Sequence, residues 1–324
     1  MKGKFYIDEI DAYLAYGLFV ANNGYNGLIA FPGFKDLDEN DWSEEDGTEV
    51  DLSSPVLNTR EFSINFYCCD YFKAMDFIAL ISDGSFHTYN FIEAGCSRCL
   101  RLVSEPSKKI HRIMETFSLS FADDFPLNGY TYSKPPIDGG IPAQEGYEID
   151  GKLFSDYGVF ILDGSDTEIM KMPSVKKNLL IDIPSNSGAI YDGKHVVFQK
   201  KDVTLKCWMR CKDVTTMWRN LNALVYDLIS LTDKIDFAGY KYKDAERIFF
   251  VESLYEEYPC YFNGLSATKF QILSGDRVWL EFDLTLTFTS FRVNGIYYLL
   301  ATEADELIIT EDGEYYIYLK DYAN

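Results

Sequence analysis

The sequence predicts a mainly β protein, β-rich α+β in class, built as two tandem β-barrel or β-sandwich domains with one flanking helix each. Three observations predict it. The chain states one template twice: Tyr16-Gly17-Leu18-Phe19-Val20 and Tyr157-Gly158-Val159-Phe160-Ile161 are each preceded by Ile-Asp (Ile7-Asp8; Ile149-Asp150) and followed by an apolar residue and proline (Phe31-Pro32; Met172-Pro173). From Tyr-Gly to Pro the offset is constant (157 − 16 = 141; 173 − 32 = 141). The longest apolar segments alternate apolar and polar residues, the period of a half-buried strand. Aromatics reach 16%, with 24 Tyr and 24 Phe, residues that favour pleated surfaces.

In chain order, the first copy (residues 1–127) opens with a short strand core at Leu18–Val20. An alternating strand follows over Phe62–Tyr67. Asp70 then predicts a helix over Tyr71–Ser82, because its carboxylate can accept a first-turn N–H. That helix is expected to turn Phe72, Met75, Ile78 and Ala79 inward. Phe117–Phe121 alternates again. Residues 128–147 read as a linker, with adjacent prolines and adjacent glycines in Ser133–Pro142.

The second copy (148–294) repeats the series: Val159–Leu162, an alternating strand Val203–Met209, and a helix capped by Asp213. Val214, Met217, Trp218, Leu221, Leu224, Val225, Leu228 and Ile229 form the apolar stripe of that helix. In the strand Val278–Phe288, Leu280, Phe282, Leu284, Leu286 and Phe288 share one face, and Glu281, Asp283, Thr285 and Thr287 the other. The 141 offset also holds for Lys35/Lys176, Gly47/Gly188 and Asp51/Asp192, but Phe117/Phe282 stand 165 apart. The second copy therefore carries about two dozen extra residues in its middle, where loops and helix ends absorb them. Residues 295–324 form a C-terminal extension, read as a hairpin of Glu306–Thr310 and Glu314–Leu319 turning at Asp312-Gly313.

A chain of 324 residues that is 47% apolar can build two real cores. Its formal charge of −21 argues against a surface that grips nucleic acid or anionic membrane, and raises solubility. No apolar run is long enough to span a membrane, and Met1–Asp8 lacks the apolar core of a signal peptide. An odd count of seven cysteines points to reduced thiols.

The search for chemistry assigns no catalytic, cofactor-binding or metal residue. His87, His111 and His195 stand in no metal-ligand spacing, and no nucleophile elbow, P-loop or dinucleotide fingerprint is present. Cys96-Ser97-Arg98-Cys99 with Cys68-Cys69 could offer four thiolates to zinc, but adjacent residues of a strand point to opposite faces. The acidic run Asp36–Asp46 lacks the order of a calcium loop and reads as a solvated loop. Trp208, Trp218 and Trp279 read as core; exposed in a row, they would instead offer a carbohydrate platform.

The order Ile149-Asp150-Gly151, Asp156-Tyr157-Gly158-Val159, Pro173, alternating strand, helix and final long alternating strand resembles the tube-forming domain of phage tail proteins. It is most similar to the N-terminal domain of the distal tail proteins of long-tailed phages. The resemblance covers residues 148–291 and, more loosely, 6–125. It implies tube-like β-barrels with a flanking helix, whose neighbouring copies pair sheets into a ring around a DNA channel. Two such domains in one chain are similar to tail-hub (baseplate hub) proteins, in which three chains make a pseudo-sixfold ring.

The implied function is a non-enzymatic structural component of a phage or prophage tail tip or baseplate. Its implied partners are itself, as a homotrimer or homohexamer, and tail-tube and tail-tip proteins. DNA would pass as cargo that does not stick, with an acidic lumen to repel it. The implied location is the virion tail, after synthesis in the bacterial host cytoplasm, with no membrane and no cofactor. In one respect the chain departs from the pattern: distal tail proteins carry a different, often carbohydrate-binding-like, C-terminal region. A host-surface glycan-binding module and a cell-wall glycan hydrolase stand as the alternatives, the latter requiring two converging carboxylates.

Overall fold

The computed structural model describes residues 2–21, 24–103, 107–109, 115–138, 144–176, 180–185, 187–191, 196–235, 239–290, 296–299 and 318–321. The first copy runs β1 (Phe5–Ile7), β2 (Ile10–Asp11), α1 (Ala12–Tyr16), β3 (Leu18–Val20), β4 (Ala30–Pro32), β5 (Glu39–Asn40), β6 (Glu49–Val50), β7 (Arg60–Cys68), α2 (Tyr71–Ile81), β8 (His87–Phe91), β9 (Cys96–Leu102), β10 (Ser107–Lys109) and β11 (Glu115–Asp123). The second runs β12 (Tyr147–Ile149), β13 (Lys152–Leu153), β14 (Val159–Ile161), α3 (Ser165–Met170), β15 (Leu180–Asp182), β16 (Ala189–Tyr191), β17 (Lys201–Cys211), α4 (Val214–Ile229), β18 (Thr232–Ile235), β19 (Lys241–Asp244), β20 (Arg247–Val251), β21 (Glu256–Ile272) and β22 (Val278–Phe288). β23 (Ile296–Leu299) and β24 (Tyr318–Asp321) pair with each other beyond it. The molecule is mostly β, with a curled, half-barrel sheet.

Among the described residues the first sheet has the order β2-β1-β8-β9-β11-β7-β3, and the second β13-β12-β20-β21-β22-β17-β14. Replacing each strand by its counterpart turns one order into the other. Register agrees residue by residue: Leu18 faces Cys68 as Val159 faces Met209, both pairs 141 apart. On the polar faces the Ser63 and Ser120 hydroxyls meet at 2.8 Å, and their counterparts Thr204 and Thr285 at 3.3 Å. Even the ribbon after β4 is copied. Phe34 bridges Leu57, and Val175 bridges Phe198. Lys35 N–H donates to the Val56 carbonyl (2.7 Å), and Lys176 N–H to that of Val197 (2.8 Å).

The extra residues of the second copy are now placed. The offset is 141 at Cys68/Met209, 160 at His87/Arg247 and 165 at Phe117/Phe282. Most of the growth therefore lies between β17 and β20, in a 16-residue α4 against the 11-residue α2, and in the β18–β19 ribbon.

The chain forms two compact units. One comprises Met1–Asp38, Val50–Met170 and Asp202–Phe288; the other comprises Glu39–Glu49, Lys171–Lys201 and Thr289–Asn324. The core of the first unit follows the predicted alternation. Leu280, Phe282, Leu284, Leu286 and Phe288 are wholly buried, as are Ile64, Phe66, Leu119 and Phe121. At roughly 25 cal/mol per Å², each such side chain contributes about 2–3 kcal/mol relative to exposure.

In the second unit the Lys176 ammonium is 4% exposed and gathers the Trp42 carbonyl (2.7 Å), the Gly47 carbonyl and the Asp41 carboxylate (2.6 Å). Asp46 accepts from the Phe198 N–H at 2.8 Å. The acidic run is thus exposed along most of its length but pinned at Asp41, at Asp46 and at Glu39, whose carboxylate holds the Lys200 ammonium (2.5 Å).

Asp70 and Asp213 cap α2 and α4 as expected, accepting from Phe72 N–H (3.0 Å) and Thr216 N–H (2.7 Å). The α4 stripe is buried at Met217, Trp218, Leu221, Leu224, Val225 and Leu228. The α2 stripe is corrected. Its buried residues are Ala74, Phe77 and Ile81, while Phe72 is 79% exposed. Phe77 is held by Phe66 and Tyr16 (ring centroids 6.0 and 5.8 Å), and this aromatic contact sets the helix's rotation. Each copy also has a short helix beyond the expected one, α1 and α3. Among the described residues, no helix is long and apolar enough to cross a membrane. The predicted turn at Asp312-Gly313, with Glu306–Thr310, lies outside the described residues.

Candidate assembly surfaces

The Ile-Asp motif is a clamp between strands. Asp8 and Asp150 adopt positive φ (45° and 50°), a conformation that aspartate tolerates better than most side chains. Each donates its N–H to the neighbouring strand and takes one back on its carboxylate. Thr88 N–H reaches Asp8 Oδ1 at 2.8 Å, and Ile248 N–H reaches Asp150 Oδ1 at 2.9 Å.

The second carboxylate oxygen meets a basic side chain. In the first copy it is His87, whose Nδ1 lies 2.7 Å from Asp8 Oδ2. Burial opposes charge on the ring, but hydrogen bonds to Asp8 and Asp83 outweigh it and raise the imidazole pKa. In the second copy it is Arg247, 1% exposed, at 3.2 Å from Asp150 Oδ2, with the Leu228 and Ser230 carbonyls and the Thr232 hydroxyl as further acceptors.

The Tyr-Gly motif closes the next turn. Gly17 and Gly158 have φ of +63° and +66°, the left-handed cap of the short helical turns before β3 and β14. Tyr157 donates its hydroxyl to Asp227 on α4 at 2.5 Å. This docks the strand start on the flanking helix.

The first copy lends one strand to the sheet of the second, along a seam. β4, from the first copy, pairs antiparallel with β21 of the second: Pro32 with Gly264, Phe31 with Leu265, Ala30 with Ser266. The pairing extends through Ala267 N–H to the Ile29 carbonyl (2.9 Å) and Phe270 N–H to Asn26 Oδ1 (3.2 Å). Ile29 and Phe31 are buried there, at 0% and 2% exposure. Gly33 is required at the end of the strand, because a Cβ would stand 2.5 Å from the Asn263 carbonyl oxygen. A second contact joins α4 to the first copy, where Trp218 Nε1–H donates to the Ala94 carbonyl at 2.7 Å.

Beside the seam lies a cleft of about 480 Å³, lined by Phe31, Arg60, Arg98, Asp123, Tyr130 and Asn222 among others. The Arg60 guanidinium sits 4.5 Å from the Phe31 ring centroid and 3.8 Å from Asp123. Burial, and then the charge of Arg98, bring the Arg60 pKa down to about 9.

The residues singled out in the sequence are dispersed. Cys68 and Cys96 are buried, Cys69 and Cys99 exposed, and all stand as thiols. His87 is the clamp residue; His111 and His195 lie outside the described residues. Trp218 is core, at 7% exposure, whereas Trp208 and Trp279 are half-buried and pack on each other at 4.6 Å, their rings tilted by 42°, on the polar face of the second sheet. The roles of Lys176 and of the β4 seam are not signalled in the sequence beyond the Lys35/Lys176 match and the apolar-Pro step.

No protein-family model matches the chain, and no curated protein matches it. Among solved structures it is similar to the Dit protein of phage SPP1, described as a paradigm of the hub adsorption apparatus in phages that infect Gram-positive bacteria. The two share 9% identity over 88% of this chain and 98% of that one, with a TM-score of 0.29. At that identity and score the likeness carries no functional argument.

Proposed function

We propose that the chain is a structural, ring-forming component of a phage or prophage tail tip or baseplate, joining tail tube to tip around a DNA channel. One observation carries the reading: two sheets of identical strand order in one chain, with β4 of the first copy added as a strand to β21 of the second copy's sheet. Such a seam is the lateral contact that a ring of repeated sheets needs, made here within a chain. Residues 1–127 and 148–294 would then be two successive ring positions, so that three chains suffice for six. An open heterologous contact of this kind generates rings when its rotation closes. The formal charge of −21 favours a lining that repels phosphate.

Light scattering after size exclusion, with negative-stain microscopy, tests the proposal. The expected result is a holed particle of three or six times the 37.2 kDa chain. A strict monomer at high concentration refutes it.

A further inference from the structure

We infer that the cleft beside the seam binds an oxyanion, the carboxylate or phosphate group of a small ligand, with Arg98 as its hydrogen-bond donor and Arg60 as the buried charge behind it. The site stands whether or not chains form a ring. Two guanidinium groups are held here in the same way. Arg60 lies over the Phe31 ring, 4.5 Å from its centroid, and Arg98 over the Trp218 ring, at 4.9 Å. Stacking on a ring uses the face of a guanidinium and leaves the N–H groups in its plane to find acceptors.

The fold supplies few of those acceptors. Among the described residues Arg98 makes no hydrogen bond and no ion pair, and its Nε is buried. Arg60 Nη1 reaches the Leu28 carbonyl at 3.3 Å, Nη2 stands 3.8 Å from Asp123, and Nε is buried without a partner. Both side chains line the one cleft of about 480 Å³, and so does Asn222, whose Oδ1 is also buried without a donor. Buried polar groups are nearly always satisfied, so three such atoms around one cavity point to a polar ligand. Two guanidinium groups meet one carboxylate there, which leaves one positive charge over in a chain whose formal charge is −21. The charges of Arg98 and Arg60 oppose each other, and an anion near both offsets that repulsion. The cleft has the size of a small-molecule site, and Phe31, Phe125 and Tyr130 give the body of the ligand an aromatic wall.

The repeat shows that the fold does not need these charges. Tyr89 pairs with Arg98 on β8 and β9 as Phe249 pairs with Tyr258 on β20 and β21, 160 residues on. Asp123 corresponds to Phe288 at the offset of 165. In the second copy Tyr258 and Phe288 are buried and stack at 4.7 Å. One copy fills these two positions with an apolar pair; the other lines a cleft with an arginine and an aspartate. Arg60 is kept in kind as Lys201, whose ammonium donates to the Lys171 carbonyl. Packing is thus served by tyrosine and phenylalanine, and the charged pair serves a ligand.

The test titrates the full chain, by calorimetry, with sodium phosphate and with sodium acetate, at an ionic strength held constant with chloride. Saturable binding of at least one anion, with a Kd in the millimolar range or tighter, is expected, with a melting temperature that rises with its concentration. Binding of phosphate alone assigns a phosphate group to the ligand, and binding of acetate alone a carboxylate. Arg98→Gln should weaken the binding roughly tenfold or more, through the lost charge-assisted hydrogen bonds. Arg98→Tyr, which introduces the residue that the second copy packs there, should do the same and keeps the test decisive if Arg98→Gln does not fold. Lys243→Gln on β19, which does not line the cleft, should leave the affinity unchanged. No saturable binding of either anion up to about 20 mM, or binding that both Arg98 variants leave intact, overturns the site.

Discussion

Replacing Phe31 by alanine asks whether the two copies are held together through β4. The ring is 2% exposed, lies opposite Leu265 of the other copy, and carries the Arg60 guanidinium 4.5 Å from its centre. Truncating a buried phenylalanine costs about 3–5 kcal/mol through lost transfer energy and the cavity left behind. The lost cation–π contact adds about 2 kcal/mol, because the guanidinium is desolvated. The sum is about 5–7 kcal/mol. With a urea slope of about 3 kcal/mol/M, the midpoint falls by more than about 1 M. The control is built into the repeat: Met172→Ala, at the counterpart position, removes a side chain that is 52% exposed and should stay within about 0.5 kcal/mol. Phe31→Leu should recover most of the loss, since volume is largely kept. All are measured by urea unfolding at a concentration where the chain is monomeric. Equal midpoints for Phe31→Ala and Met172→Ala would refute the claim that the seam buries one position and leaves the other bare.

Two further outcomes follow from the turns. The folded pKa of His87 is raised, so its stabilisation is complete below about pH 6.5 and fades as pH climbs through the raised value. The carboxylates of Asp8 and Asp83 are lowered, so theirs is present above about pH 4 and fades as pH falls. The urea-midpoint gap between wild type and His87→Gln should therefore be widest near pH 5–6 and shrink by pH 8.5; a gap independent of pH contradicts the clamp. At the Tyr-Gly turns, Gly17→Ala should cost about 1–2 kcal/mol for its left-handed backbone alone, its nearest neighbour being 3.6 Å from the added Cβ. Gly158→Ala should cost more, because that Cβ would stand 2.8 Å from Asn220 Nδ2. Thermal melts that reverse this order would show that the helix contact is not what fixes the second turn.

Much of the fold is legible in the residues because it is local and periodic. The alternation in Val278–Phe288 places five side chains correctly, and the 141-residue register survives down to single bridges in an irregular ribbon. The failures are equally physical. In α2 the local pattern offers Phe72 and Met75 as well as Ala74 and Phe77, and only the aromatic partners Phe66 and Tyr16, distant in sequence, choose between them. The pairing of Phe31 with Leu265 spans more than two hundred residues and leaves no periodic trace. Lys176 is unreadable for another reason: a buried ammonium satisfied by two carbonyls and one carboxylate looks, in sequence, like any surface lysine. No catalytic or metal site was assigned from the sequence. The candidate surface was signalled only by the apolar-Pro step at Phe31-Pro32 and Met172-Pro173.

Where the two copies agree and where they differ is itself an argument. The positions that shape each sheet are kept in kind: the positive-φ aspartates at 8 and 150, the left-handed glycines at 17 and 158, and the capping aspartates at 70 and 213. The positions at the seam are not: Ile29, Phe31 and Gly33 become Met170, Met172 and Ser174. Fusing two copies makes the first seam intramolecular, so its partners meet at the high effective concentration of one chain. A tight contact with a required glycine and a buried aromatic suits that permanent joint. At the matching positions of the second copy Met170 and Met172 stand half-exposed, and no aromatic is placed there. An exposed aromatic edge would invite premature strand pairing, a hazard that exposed sheet edges carry generally. Methionine in place of the aromatic lowers that hazard, so the buried phenylalanine stands only where its cover is supplied within the chain.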